Sequence, residues 1–311
     1  MRKLRIGFIG NFQVPYTTEN DRKWSFEKLG HIVIPLQENQ TSIFQLQDLV
    51  RRDAVDLIIY SHTHGWEIPR LKEFFISVGE LVATASVHLD RWAWLARETD
   101  IGKEATWFTK YQFMADFSPE AKELYEKHDL KAYYLKPGVV ERDCYIASPD
   151  PIRFPHEIVF VGSKGYHPEY PERPALIDWL QRTYGERFGH YGNDGKGVMR
   201  GHDLNVLYAT AKIAVGDSCF GGRPNYVSDR YYETRGRGGF LIHPKIEGVD
   251  HEGVAFYNPR DSSQLKSVIN LYLEHATDTR EAMRREGFEY VREQGTYTNR
   301  AQEMLDIIFP Q

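Results

Sequence analysis

Ser228-Asp229-Arg230-Tyr231-Tyr232-Glu233-Thr234-Arg235-Gly236-Arg237-Gly238-Gly239-Phe240-Leu241-Ile242 reads as a turn, a short helix, a glycine-rich break and a buried strand. Arg230 and Glu233 stand at i and i+3, so a cation and a carboxylate share one helical face. That pair suits a ligand that offers both a phosphate and hydroxyl groups, as a sugar nucleotide does. The alternative is an ion pair on a solvated face. A helix feeding directly into an apolar strand is half of a β-α-β unit, and the same alternation extends to both sides of it.

Upstream, strands are expected at 157–162, 187–192 and 212–216, with helices at 173–183 and 204–211; downstream, a strand at 254–257 precedes helices at 262–275, 279–293 and 299–308. The first half repeats the pattern. Arg5-Ile6-Gly7-Phe8-Ile9-Gly10, His31 to Leu36, Val55-Asp56-Leu57-Ile58-Ile59-Tyr60 and Glu80 to Val87 read as strands, with helices at 20–29, 43–52 and 67–78 between them. The continuous apolar run ending at Tyr60 is the kind buried on both faces of a parallel sheet. Thr106-Trp107-Phe108-Thr109 and Ala132-Tyr133-Tyr134-Leu135 read as shorter strands around a helix at 119–128. The polar, proline-rich stretch 148–155 reads as a linker. The expected organisation is therefore α/β: a first Rossmann-like domain over 1–150, a second over 151–290, and a C-terminal helix over 291–311 packing back on the first, with the cleft between domains as the default site.

A chain of 311 residues accommodates two such domains, and its 41% hydrophobic and 27% charged residues are ordinary for a globular protein, which excludes disorder. A formal net charge of -5 gives no global reason to bind nucleic acid, although a local basic groove would survive that average. The two cysteines, Cys144 and Cys219, form neither a disulfide framework nor a metal-ligand spacing, which points to a reduced, cytoplasmic setting. No apolar run approaches the roughly 18 residues of a membrane span, and the N-terminus reads as a first strand rather than a signal peptide.

The second half resembles the donor-binding domain of GT-B glycosyltransferases, in the group-1-like branch that includes the spore-maturation CgeB-type proteins. The residues that carry the resemblance are Val159-Phe160-Val161-Gly162-Ser163-Lys164, Leu207 to Val215, Ser228 to Ile242, and Gly295-Thr296-Tyr297-Thr298-Asn299-Arg300. The first half is similar to GT-B acceptor domains in outline, through Asp56 to His62 and Ala85-Ser86-Val87-His88-Leu89-Asp90. The resemblance implies two Rossmann-like domains facing a central cleft, and transfer of a sugar from a nucleotide-diphosphate donor, such as a UDP-sugar, to a hydroxyl acceptor. Tyr226 stands seven residues before Glu233, where many retaining members carry a second glutamate, so retaining and inverting courses both stay open.

Such a transfer needs the departing diphosphate neutralised, the ribose held and an acceptor hydroxyl deprotonated. Arg230 can grip phosphate in a bidentate fork, and Lys164 follows a strand and a glycine, where its ammonium and nearby amides can meet a phosphate. The resemblance gives Glu233 the ribose hydroxyls. Asn193, in the loop Gly192-Asn193-Asp194-Gly195, and Gly10, which ends the first strand, complete the donor-binding set. For the general base the candidates are Asp90 and His88, with His62 beside His64 next, all just beyond expected strands. The His62 and His64 pair lacks a third ligand, so no metal and no cofactor beyond the donor substrate is expected. The acceptor stays open among glycan, metabolite, protein and hydroxylated DNA base. A non-catalytic nucleotide- or sugar-binding module of the same fold and a nucleotide-sugar epimerase are the alternatives.

Overall fold

A computed structural model describes residues 2–61, 68–89, 105–165, 170–218 and 222–310. The chain forms two compact units, Met1–Lys136 with Tyr297–Gln311, and Pro137–Thr296. Each is built on its own parallel sheet.

In the first unit the strands are β1 (Arg5–Gly10), β2 (Ile32–Gln37), β3 (Leu57–Ser61), β4 (Ala83–His88), β5 (Tyr111–Met114) and β6 (Ala132–Tyr134), in the order β2-β1-β3-β4-β5-β6. Helices α1 (Thr18–Lys28), α2 (Ile43–Arg51), α3 (Leu71–Val78) and α4 (Pro119–Lys127) alternate with them. Because successive strand residues point to opposite faces, the apolar run of β3 divides. Leu57 and Ile59 join Phe8, Phe26, Met304 and Leu305 on one side, while Ile58 and Tyr60 join Leu46, Phe74 and Phe75 on the other. Burial on both faces is why that strand reads as unbroken apolar sequence. Helix α1 begins where the Thr17 hydroxyl accepts from the Asn20 amide, with Glu19 and Asp21 in its first turn, and Gly30 at φ +90° follows its end.

Residues 106–109 are not a strand. Ala105–Phe108 is a 3₁₀ turn, and the strand lies just beyond it at Tyr111–Met114. Thr109 explains the difference: its hydroxyl lies 3.0 Å from the carbonyl of Thr106, which closes the turn, and 3.0 Å from Ser86 Oγ on the neighbouring strand. Trp107 is thereby turned inward against His88.

The second unit holds β7 (Ile158–Val161), β8 (Phe188–Tyr191), β9 (Ile213–Val215), β10 (Leu241–Pro244) and β11 (Val254–Tyr257), all parallel, in the order β11-β10-β9-β7-β8. Ile158 and Phe160 face α5 (Glu172–Tyr184) and α8 (Ser262–Asn270). Val159 and Val161 face α6 (Gly201–Thr210). Helices α7 (Arg230–Gly236) and α9 (Thr277–Gln294) complete this unit, and α10 (Tyr297–Ile308) packs on α1 in the first.

The units divide after Lys136 rather than at the proline-rich stretch 148–155. Residues that follow Lys136 are stitched into the second unit: the Val139 amide donates to the Gly295 carbonyl, Asn205 donates to the carbonyls of Asp143 and Tyr145, and Arg237 pairs with Asp143 at 2.7 Å. Composition marks a polar stretch as a linker, but these bonds decide its allegiance.

Candidate functional site

In the second sheet the chain runs from β7 outward to β8 and then returns to β9 on the other side of β7. The carboxyl ends of β7 and β9 are therefore a topological switch point, where open α/β sheets take their ligands. Gly162 and Ser163 leave one strand there, Gly216 and Asp217 the other.

Asp217 is 3% exposed and lies between two guanidinium groups. Arg173, in the first turn of α5, donates from Nε to Asp217 Oδ2 at 2.7 Å, and Arg230, at the start of α7, donates from Nη1 to Oδ1 at 2.7 Å. Burial pushes the Asp217 carboxyl up, but Arg230 and Arg173 outweigh it and hold the group below the usual carboxylate range. Each carboxylate oxygen of Asp217 thus accepts from a different guanidinium. The Arg230 guanidinium also lies over the Phe160 ring, 4.9 Å from its centroid. Gly162 makes room for it: a Cβ there would stand 2.5 Å from Arg230 Nη2. Behind Asp217, His243 is buried with Nε2 2.9 Å from the Asp217 carbonyl oxygen, and burial pushes its pKa down to about 4.

Arg230 and Glu233 do not pair with each other. Arg230 turns to Asp217, while Glu233, with its side chain 27% exposed, lies 3.7 Å from Arg237 and keeps a path to solvent. Lys164 pairs through Nζ with Asp178 at 2.5 Å. The backbone amides of Lys164 and Gly165, expected to meet a phosphate, both donate to the Asp194 carboxylate, so the loop does bind an anion, a tethered one. These amide bonds outweigh the cost of partial burial and hold the Asp194 carboxyl below its ordinary value. Asn193 is exposed beside it. Tyr226 is 2% exposed, packed in the interior.

The first sheet has its own switch point between β1 and β3. Glu19, from the first turn of α1, sits there 7% exposed and accepts a hydrogen bond from Ser61 Oγ at 2.8 Å. Gly10 serves it by close approach: a Cβ would stand 2.6 Å from Glu19 Cγ. Gly10 thus belongs to the first unit. His88 is 2% exposed, stacked 4.5 Å from the Trp107 ring with Nε2 3.1 Å from Ser86 Oγ, a packed position within the sheet. His62, His64 and Asp90 lie outside the described residues.

Three residues were missed in the sequence: Arg173, Asp217 and Glu19. The available signal was positional, since each lies within a few residues of the end of a strand or the start of its helix. Which strand ends adjoin, however, is a matter of strand order.

Phage T4 β-glucosyltransferase is similar over 98% of this chain and 100% of its own, at 10% identity and a TM-score of 0.62. The fold is GT-B. A UDP-forming α,α-trehalose-phosphate synthase from Burkholderia vietnamiensis shares the GT-B architecture at 11% identity, covering 98% of each chain with a TM-score of 0.63. The N-terminal domain of Candida albicans trehalose-6-phosphate phosphatase does so at 9% identity, covering 99% of this chain and 97% of its own, with a TM-score of 0.60. Residues 173–306 match a family model described as glycosyl transferase-like, a span of this GT-B chain that begins at Arg173 and contains Asp217, Arg230 and Glu233. No curated protein matches the chain in sequence. Among the described residues no cluster of three or more His, Cys, Asp or Glu is placed to hold a metal, and no helix is long and apolar enough to cross a membrane.

Proposed function

We propose that the chain is a glycosyltransferase that moves a sugar from a nucleotide-diphosphate sugar to a hydroxyl acceptor without a metal ion, in the branch that resembles the CgeB-type proteins. The observation that carries this reading is the Arg173–Asp217–Arg230 cluster at the switch point of the second sheet, with the Arg230 guanidinium still partly exposed there. The diphosphate would be gripped by Arg230, assisted by Lys164. Glu233, one helical turn beyond Arg230, would accept from the ribose hydroxyls, and Asn193 would lie toward the base. In the reaction the bond from the sugar C1 to the diphosphate oxygen breaks, a bond from C1 to the acceptor oxygen forms, and the acceptor proton passes to a base. Asp90, His88 and His62 are the candidates for that base, and Glu19, at the switch point of the first sheet, joins them.

The family match over residues 173–306 supports this reading. A structure of phage T4 BGT holds UDP-glucose as its substrate, which makes UDP-glucose the first donor to test. A panel of nucleotide sugars examined by thermal shift should include one that stabilises the protein by mass action. For that ligand, Glu233→Ala should weaken binding by about 1–3 kcal/mol, as expected for losing the acceptor of buried hydroxyls. Turnover should survive a chelator. A protein that binds no nucleotide overturns the donor assignment, and loss of activity in chelator overturns metal independence.

A further inference from the structure

A cavity of about 320 Å³ opens on the α5 and α8 side of the second sheet, and neither the donor reading nor the fold accounts for it. Its α5 wall is Glu172, Ala175, Leu176, Trp179 and Arg182, a stripe along one helical face. The opposite wall comes from the end of β11 and the start of α8, chiefly Tyr257, Asn258, Asp261 and Leu265. The floor is apolar and built in advance. Tyr257 is 5% exposed and its hydroxyl is already committed to the Gly216 carbonyl, so it presents ring rather than polar atom. Trp179 is half-buried and held edge-on to Tyr184, with centroids 6.2 Å apart at 82°. A rim of exposed Glu172, Asp261, Asn258 and Arg182 surrounds this floor. Among the described residues, neither Glu172 nor Arg182 makes an ion pair.

We propose that this cavity is a second binding site, for one or two rings of a neutral saccharide. An aromatic and aliphatic floor with a few polar groups at its edge is the general form of a small-ligand site, and an indole surface suits the apolar face of a pyranose. The rim selects the class. It offers two carboxylates and an amide oxygen against one guanidinium, so it favours a ligand rich in hydroxyl donors and opposes a phosphate or a carboxylate. Asp261 and Asn258 each give one oxygen to the local backbone, accepting from the Gln264 and Arg260 amides, which fixes their orientation without exhausting their capacity to accept.

Trp179 is the only tryptophan between residues 137 and 296, so its indole N–H resonance reports on this unit alone. The full-length protein would be titrated with methyl α-glucopyranoside and with maltose while the six indole signals are followed. For so small a site a Kd of order millimolar is expected. One indole signal, identified by its loss in Trp179→Phe, should shift saturably, and the shift should not depend on salt. Glu172→Gln, which preserves packing, should weaken the saccharide several-fold and leave UDP affinity unchanged. The proposal is overturned if neither saccharide moves the Trp179 signal, if Glu172→Gln has no effect, or if inorganic phosphate or UMP moves the signal while the neutral sugars do not. Because UDP is measured in parallel, failure here is distinguishable from failure of the donor assignment.

Discussion

In a Gly162→Ala variant the new methyl group would stand 2.5 Å from Arg230 Nη2 and 3.0 Å from Cζ, on a backbone held at φ +140°. The end of an arginine side chain ordinarily swings clear of a methyl group at little cost. Here the guanidinium is pinned to Asp217 at 2.7 Å and over the Phe160 ring, so moving aside loosens a buried, charge-assisted bond. Backbone strain at a position suited to glycine costs about 1–3 kcal/mol. Loosening the charged hydrogen bond adds about 1–2 kcal/mol. Together they give about 2–5 kcal/mol, which at a urea slope of about 2 kcal/mol per molar lowers the midpoint by about 1–2.5 M without changing the slope. Trp179 fluorescence in a variant lacking the other tryptophans follows this unit. In an Arg230→Gln background the methyl group meets no pinned guanidinium, so only the backbone part should remain, with a coupling of about 1–2 kcal/mol in the double-mutant cycle. An unchanged midpoint for Gly162→Ala, or strict additivity in the cycle, would refute the reasoning.

His243, with its pKa pushed down to about 4 by burial against an ordinary 6.5, makes the second unit acid-sensitive. Its stabilising effect is complete above pH 6.5 and is lost as the unfolded chain takes up a proton between pH 6.5 and about 4. The slope approaches about 1.4 kcal/mol per pH unit, observable as a falling urea midpoint that His243→Gln should flatten. Glu19→Ala should destabilise the first unit by about 1–3 kcal/mol, since Ser61 then loses its buried partner, while leaving nucleotide affinity as in the wild type. Equal affinity with no loss of stability would show that the Glu19 contact is energetically empty.

Much of the fold was legible because apolar runs such as Leu57-Ile58-Ile59-Tyr60 and Ile158-Val159-Phe160-Val161 are buried on both faces, and nothing else in a chain of this composition reads that way. The error at 106–109 arose where a threonine hydroxyl closed a turn that propensity alone would have extended. Arg230 was legible as a cation near a strand, but its partner was not. Asp217 is 44 residues from Arg173 and 13 from Arg230 in sequence, and only the order β9-β7 brings the three together. For His88 the strand end was legible, but the Trp107 ring stacked 4.5 Å from it was not.

The return of α10 to the first unit reverses the usual order of assembly during synthesis. Domains made first are ordinarily finished first. Here Met304, Leu305 and Ile308 belong to the same cluster as Ile6, Phe8 and Phe26, so the sheet begun by the first residues lacks part of its covering until residues 297–308 have emerged. The second unit, contained within Pro137–Thr296, is complete before then. The nascent first unit must therefore keep an apolar face uncovered while about half of the chain is still being made, and chaperone dependence should fall on the half that is translated earliest.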